Sequence, residues 1–247
     1  MFYVGCCGFP TARSKYYAMF NVVELQETFY NPPDIERLRS LRLEAPEDFI
    51  FTMKCWQAIT HPLDSPTWKK SKFIPDQSLR DSYGFLRPTK EVFKAWELVV
   101  EGVKVLNAKV VVIQTPPSFN YSDTNFRNTI DFFSTVDTNE FVIGWEPRGD
   151  WLEKPDKIAE VVGRFKSVIH IVDILKHEPV VVKDVNYFRL HGLNGEVNYK
   201  YKYTDDDLRR LCTLARKFKR RETYILFNNV HMLQDAQRFK KICSHNP

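Results

Sequence analysis

The run VVVIQ, residues 110–114, puts four consecutive apolar residues before a polar one. A strand with one face in water alternates apolar and polar residues. A strand that is apolar on both faces must be covered on both, as in a parallel sheet flanked by helices. The run YILF, residues 224–227, reads the same way and is followed by two asparagines.

Working outward, runs rich in β-branched and aromatic residues predict strands at 2–6, 22–29, 49–54, 109–114, 141–146, 168–172, 186–190 and 223–227. Helical periodicity lies between many of them, at 33–43, 89–106, 123–135, 155–165, 204–220 and 232–242. About eight strands alternating with helices suggest a (β/α)8 TIM-type barrel in a single domain, 1–247. A doubly wound open sheet gives a similar local pattern. No GxGxxG or P-loop follows the first strand, so the barrel is preferred. The stretch 58–87, rich in Pro, Ser, Lys and Trp and without clear periodicity, reads as a long loop after strand three, a lid over the barrel end.

The 36 basic and 31 acidic residues leave a net charge of +5, a mild excess that singles out no partner. The N-terminal MFYVGCCGFP lacks the pattern of a secretory signal, and no apolar run approaches the ~20 residues of a membrane span. A soluble, cytoplasmic protein is expected. The five cysteines are odd in number and lack CxxC spacing, which argues against a disulfide framework and a zinc ribbon; most are expected to be buried apolar side chains. Cys6 and Cys7, just after the first strand, are the two to watch for a functional thiol.

Thr204 followed by Asp205, Asp206 and Asp207 reads as an N-cap with an acidic first turn, and Arg216, Lys217, Lys219 and Arg220 crowd the other end of the same helix. Both fit the helix dipole, and the charge run is read as a solvated face rather than a nucleic-acid patch.

In a barrel of this kind the loops after the strands build the active site. Here the strand ends are polar. Strand two carries Glu24 and Gln26 on one face, strand three ends on Lys54 and leads to His61, and strand four ends at Gln114. Strand five supplies Glu146 and Arg148, strand six Asp173, strand seven Arg189 and His191, and strand eight Asn228 and Asn229. Burying such charges singly costs several kcal/mol each, so they are expected to pair, bind ions or contact a ligand.

In order along the chain, VGCCGF, VELQETFYNPP, FTMKCWQAITHP, VIQTPPSF, GWEPRGDW, YFRLHG and ILFNN resemble the motifs of the DUF72 family, also called YecE-like, over nearly the whole chain. The resemblance implies a TIM-barrel fold and places Glu24, Lys54, His61, Gln114, Glu146, Arg148, Trp151, Arg189, His191, Gly192 and Asn229 at motif positions. The chain departs from the family at GCCGF, where a Gly-Thr-Ser-Gly-Trp type segment is usual, at Gln26 in place of Asn, and at Pro147 in place of an aromatic.

Lys54, Arg148 and Arg189 suit a phosphate or carboxylate, so a small anionic, sugar-like substrate is the leading expectation. Substrate-binding positions are Lys54, His61, Gln114, Arg148, Trp151, Arg189, Asn228 and Asn229. Glu24 and Glu146 are candidate acid and base, and His191 a further proton carrier, in isomerase or hydrolase chemistry. No cofactor is expected. The alternative is a divalent metal held by Glu24, Glu146, Asp173 and His191, in a metal-dependent isomerase or nuclease-like enzyme. A noncatalytic nucleic-acid-binding barrel using Trp56, Trp68, Lys69, Lys70, Lys72 and Phe73 is the less favoured reading.

Overall fold

The computed structural model describes residues 2–219 and 221–245. Eight strands run in the order β1 (Phe2–Cys7), β2 (Val22–Leu25), β3 (Ile50–Lys54), β4 (Ala108–Gln114), β5 (Val142–Glu146), β6 (Val168–Val172), β7 (Val185–Leu190) and β8 (Glu222–Phe227). They hydrogen-bond in sequence order and close into a barrel, with parallel pairing along β1–β2, β3–β4, β4–β5, β6–β7, β7–β8 and β8–β1. The (β/α)8 expectation holds, and the deciding run explains why. Val110, Val111, Val112 and Ile113 are all 0% exposed, so β4 is covered on both faces.

The main helices are α1 (Arg13–Met19), α2 (Ile35–Glu44), α3 (Gln57–Thr60), α4 (Lys90–Leu106), α5 (Asp123–Val136), α6 (Pro155–Arg164), α7 (Asp205–Arg216) and α8 (Met232–His245). Their starts follow from side-chain chemistry. Thr89, Ser122 and Thr204 each accept a backbone N–H of the first turn, and Thr204 with Asp207 completes a reciprocal capping box. Packing divides the barrel into two compact units. The first holds β1, α1, β2, most of β6, β7, α7, β8 and α8; the second holds α2, most of β3, α3, α4, β4, α5, β5 and α6.

Two expectations change. Strand two does not extend to residue 29. It ends at Leu25, Gln26 is already in the right-handed helical region, and a 3-10 turn Glu27–Phe29 follows. The cause is local: Phe29 N donates to Gln26 O, and Thr28 Oγ1 donates to Lys54 O at 2.7 Å, which draws the chain out of the extended form. The helix expected over 204–220 ends at Arg216, and Arg220 lies outside the described residues.

A short helix, α1, went unforeseen, and it supports the first two strands. The Tyr16 hydroxyl accepts Cys6 N at 2.7 Å and donates to Val22 O at 2.9 Å, so one buried phenol ties β1 to β2. Gly5 permits this approach, because a Cβ there would lie 2.1 Å from Val22 O and 3.0 Å from the Tyr16 oxygen.

Segment 58–87 contains short 3-10 turns at Pro66–Lys70 and Gln77–Ser82. It returns to α3 through Gly84 N to Ala58 O, Phe85 N to Thr60 O and Leu86 N to Ile59 O. No helix among the described residues is long and apolar enough to cross a membrane.

The cysteine reading needs a correction: Cys212 of α7 and Cys243 of α8 form a disulfide, with Cα atoms 5.5 Å apart. The two residues are 31 positions apart in the chain, and helix packing rather than motif spacing brings them together. Closing a loop of that length restricts the unfolded chain by about 3–4 kcal/mol on the chain-entropy account. Reductant, or the Cys212→Ser, Cys243→Ser variant, is therefore expected to lower the stability seen by denaturant melts by about that amount. A melting curve indifferent to reductant contradicts the cross-link.

Candidate functional site

In the first unit, the ends of β2, β6, β7 and β8 carry two connected arrangements. In the first, Arg189 presents its guanidinium fork to Glu24, with Nε donating to Oε2 at 3.0 Å and NH2 donating to Oε1 at 2.9 Å. Tyr187 adds its hydroxyl to Oε2 at 2.8 Å. Glu24, Arg189 and Tyr187 are each 0% exposed. Tyr187 and Arg189 are two residues apart and so face the same way, which makes Tyr187 readable from the alternation although it was missed. Glu24 and Arg189 are thus committed to each other, a planar, charge-assisted pair inside the barrel wall.

In the second arrangement, Asp173 lies just beyond β6. Its Oδ1 accepts Leu175 N at 3.1 Å and its Oδ2 accepts His191 N at 3.0 Å, with Lys176 Nζ 3.4 Å from Oδ2. Burial raises the Asp173 pKa, against the lowering effect of Lys176 and the two backbone donors. The His191 ring meets the Asn228 amide nitrogen at 3.2 Å through Nδ1. With that amide donating, the neutral ring carries its proton on Nε2. His191 therefore has its backbone fixed by the carboxylate after β6 and its ring by the amide after β8.

Gly192 makes the turn that allows this. It sits at φ +80, donates its N–H to the Tyr203 hydroxyl at 2.7 Å, and a Cβ there would lie 2.1 Å from Asn198 O. Asn229 has a scaffold role, donating to Tyr201 O at 2.7 Å and to buried Asp235 at 2.8 Å.

Cys6 and Cys7 are buried, 0% and 5% exposed. Burial pushes the Cys6 thiol up to about 12 and raises Cys7 as well, so both stay as neutral thiols at ordinary pH.

In the second unit, Glu146 and Arg148, two residues apart at the end of β5, form a buried ion pair. Gln114, half-buried, stands opposite Glu146 in the β4–β5 register. The rest of GWEPRGDW is anchoring. Trp151 is 0% exposed, donates to Phe119 O at 2.8 Å, and packs on Phe119 and Trp145, while Asp150 accepts Tyr121 N at 2.9 Å. These bonds hold the TPPSFNY loop after β4 against the turn after β5.

Lys54 is half-buried, with Nζ 4.1 Å from the centre of the Phe29 ring, which in turn packs on His61. Burial, and then the Lys54 charge, lower the His61 pKa to about 3. His61 is thus a neutral imidazole, its Nδ1 2.7 Å from the Thr60 hydroxyl.

Lys176 and Tyr203 were not foreseen, because neither falls on a strand, where alternation would show which side it faces. Among the described residues, no group of three His, Cys, Asp or Glu side chains is arranged to hold a metal ion.

Glu24→Gln or Arg189→Met alone leaves one buried charge without its counter-charge and is expected to cost about 3–5 kcal/mol. The Glu24→Gln, Arg189→Met double variant should lose less than the sum of the two single losses. Additive losses in urea melts would show that the pair is not coupled.

None of the curated proteins matches the chain. Among solved structures it is similar to a DUF72 family protein from Enterococcus faecalis, with a TM-score of 0.69, 17% identity, and 99% and 98% of the two chains covered. A DUF72 family protein from Thermotoga maritima gives 0.68 at 23% identity, covering 99% of each chain. The 3-keto-D-glucoside 4-epimerase from E. coli gives 0.59 at 11% identity, covering 99% and 98%. The family model described as "protein of unknown function DUF72" matches residues 8–246, and the chain belongs to that family.

Proposed function

We propose that the protein is an enzyme that moves protons on a small anionic, sugar-like compound, phosphorylated or carboxylated, at the C-terminal ends of β6, β7 and β8. One observation carries this reading. His191 follows β7 with its backbone held by Asp173 and its ring held by Asn228, an arrangement that fixes both orientation and tautomer of an imidazole, a side chain suited to proton transfer.

His191 is the proton carrier in this reading. Asn228, half-buried, sets the ring and offers an amide to substrate, and Lys176 is the nearby cation for an anionic group. Glu24 and Arg189 act as a positioning pair, because their hydrogen bonds are already spent on each other and on Tyr187. The sugar epimerase shares the barrel, and at 11% identity that likeness concerns the fold alone. Support for the chemistry comes from the residues.

The test is a thermal-shift screen of phosphorylated sugars and organic acids on the wild type, His191→Asn and Lys176→Ala. At one hundred times its Kd a true ligand adds about 2.7 kcal/mol of stability. At least one anion is expected to stabilise the wild type by that order, and to lose most of the effect in Lys176→Ala. In His191→Asn, binding should persist while any turnover found with that ligand falls at least a hundredfold. A screen with no stabilising anion, or a ligand indifferent to Lys176, contradicts the reading.

A further inference from the structure

At the opposite ends of the strands from His191, two clefts of the first unit share Arg216. One, of about 680 Å³, lies beside the N-terminal ends of β7 and β8 and is lined by Arg216, Lys217, Lys219 and Arg221, with Asp184 and Glu222. The other, of about 490 Å³, lies beside the start of β1 and the end of α8. It has Arg216, Lys240 and Lys241 over an apolar floor of Phe2, Val4 and Phe239, and no acidic residue lines it.

Six bases and two acids therefore line the joined clefts, an excess of four in a chain whose whole net charge is five. The rest of the chain is close to neutral, so the mild global charge conceals a strongly local one. The helix dipole accounts for a base at Arg216, the last residue of α7. The dipole of α8 likewise favours Lys240 and Lys241 near its C-terminal end, but neither dipole accounts for Lys219 and Arg221 beyond α7.

Two surface ion pairs touch the patch. Lys217 pairs with Glu178 and Arg221 with Asp184, but all four side chains are at least 40% exposed. Such pairs are worth little and exchange readily for another anion. The geometry is also held: the Cys212–Cys243 disulfide joins α7 to α8, and Arg216 NH2 donates to Cys243 O at 3.1 Å. Bases from the ends of α7 and α8 are thus held in a basic track whose two clefts share Arg216.

A row of cations, four exposed and Arg216 and Arg221 half-buried, beside an apolar floor that includes half-buried Phe2, matches a strand of phosphates carrying stackable bases. We infer that this basic track binds single-stranded nucleic acid through its backbone, without reading sequence. It uses none of the residues assigned to the strand C-termini, so either reading can fail alone.

The test measures fluorescence anisotropy of a labelled 20-nucleotide oligodeoxythymidylate against the full-length protein from 50 to 200 mM NaCl. Affinity is expected to fall with salt, with a log-log slope of up to about −4 for six contacts on a single strand. Lys219→Ala, Lys240→Ala, Lys241→Ala should reduce that slope by about 2, whereas the triple arginine variant at the same positions should retain it. Lys69→Ala, Lys70→Ala, Lys72→Ala should bind like the wild type. The inference is overturned by absence of binding at 50 mM salt, by loss confined to the 69, 70, 72 variant, by a duplex of equal length binding more tightly, or by poly-glutamate displacing the oligonucleotide at equal charge, which would point to an acidic protein partner instead.

Discussion

The pairing of Glu24 with Arg189 is the constraint on which the first unit depends. A carboxylate and a guanidinium, each with no exposure to water, lie 165 residues apart in the chain and on strands separated by β1 and β8 in the barrel order. A buried ion pair of this kind adds little net stability over an apolar substitute, but breaking it is costly. Its effect is therefore on register. A slip of one residue in β2 or β7 would turn either charge away from its partner and to the other face of its strand. The same register that satisfies Arg189 places His191, two residues on, at the strand end.

From that placement the local chemistry follows by short steps. Gly192 turns the chain, Tyr203 accepts the turn's N–H, Asp173 takes the His191 N–H, and Asn228 meets the ring. Elsewhere, burial removes competing chemistry. The Cys6 and Cys7 thiols are held neutral, and so is His61, whose burial beside Lys54 keeps it uncharged through the physiological range. Much of GWEPRGDW is committed to packing, with Trp151 and Asp150 serving as anchors for the loop after β4.

How much of this was legible in the sequence depends on range. Val110 to Ile113 announce two-sided burial by composition alone, and Thr89, Ser122 and Thr204 mark helix starts by side chains that reach only three residues ahead. The polar strand ends were legible for the same reason, since alternation fixes which residues share a face. Partners were not. The bonds of Glu24 to Arg189 and of Cys212 to Cys243 depend on packing that no local period encodes. Strand two was overextended because FY at 29–30 looks like strand, whereas one threonine hydroxyl bonding to Lys54 O bends the chain at Gln26. The charge run at the end of α7 was read on its own helix, because the bases of α8 that lie beside it are more than 20 residues further on.

The measurement that bears most directly on the account is an NMR titration of the His191 ring, assigned with His191→Asn, with inorganic phosphate as the probe. The account predicts a saturable shift of the His191 ring resonances that is lost in Lys176→Ala, with the His61 resonances unmoved. A His191 ring that does not respond to phosphate, or that responds equally without Lys176, would contradict the assignment of proton transfer on an anionic compound to the ends of β6, β7 and β8.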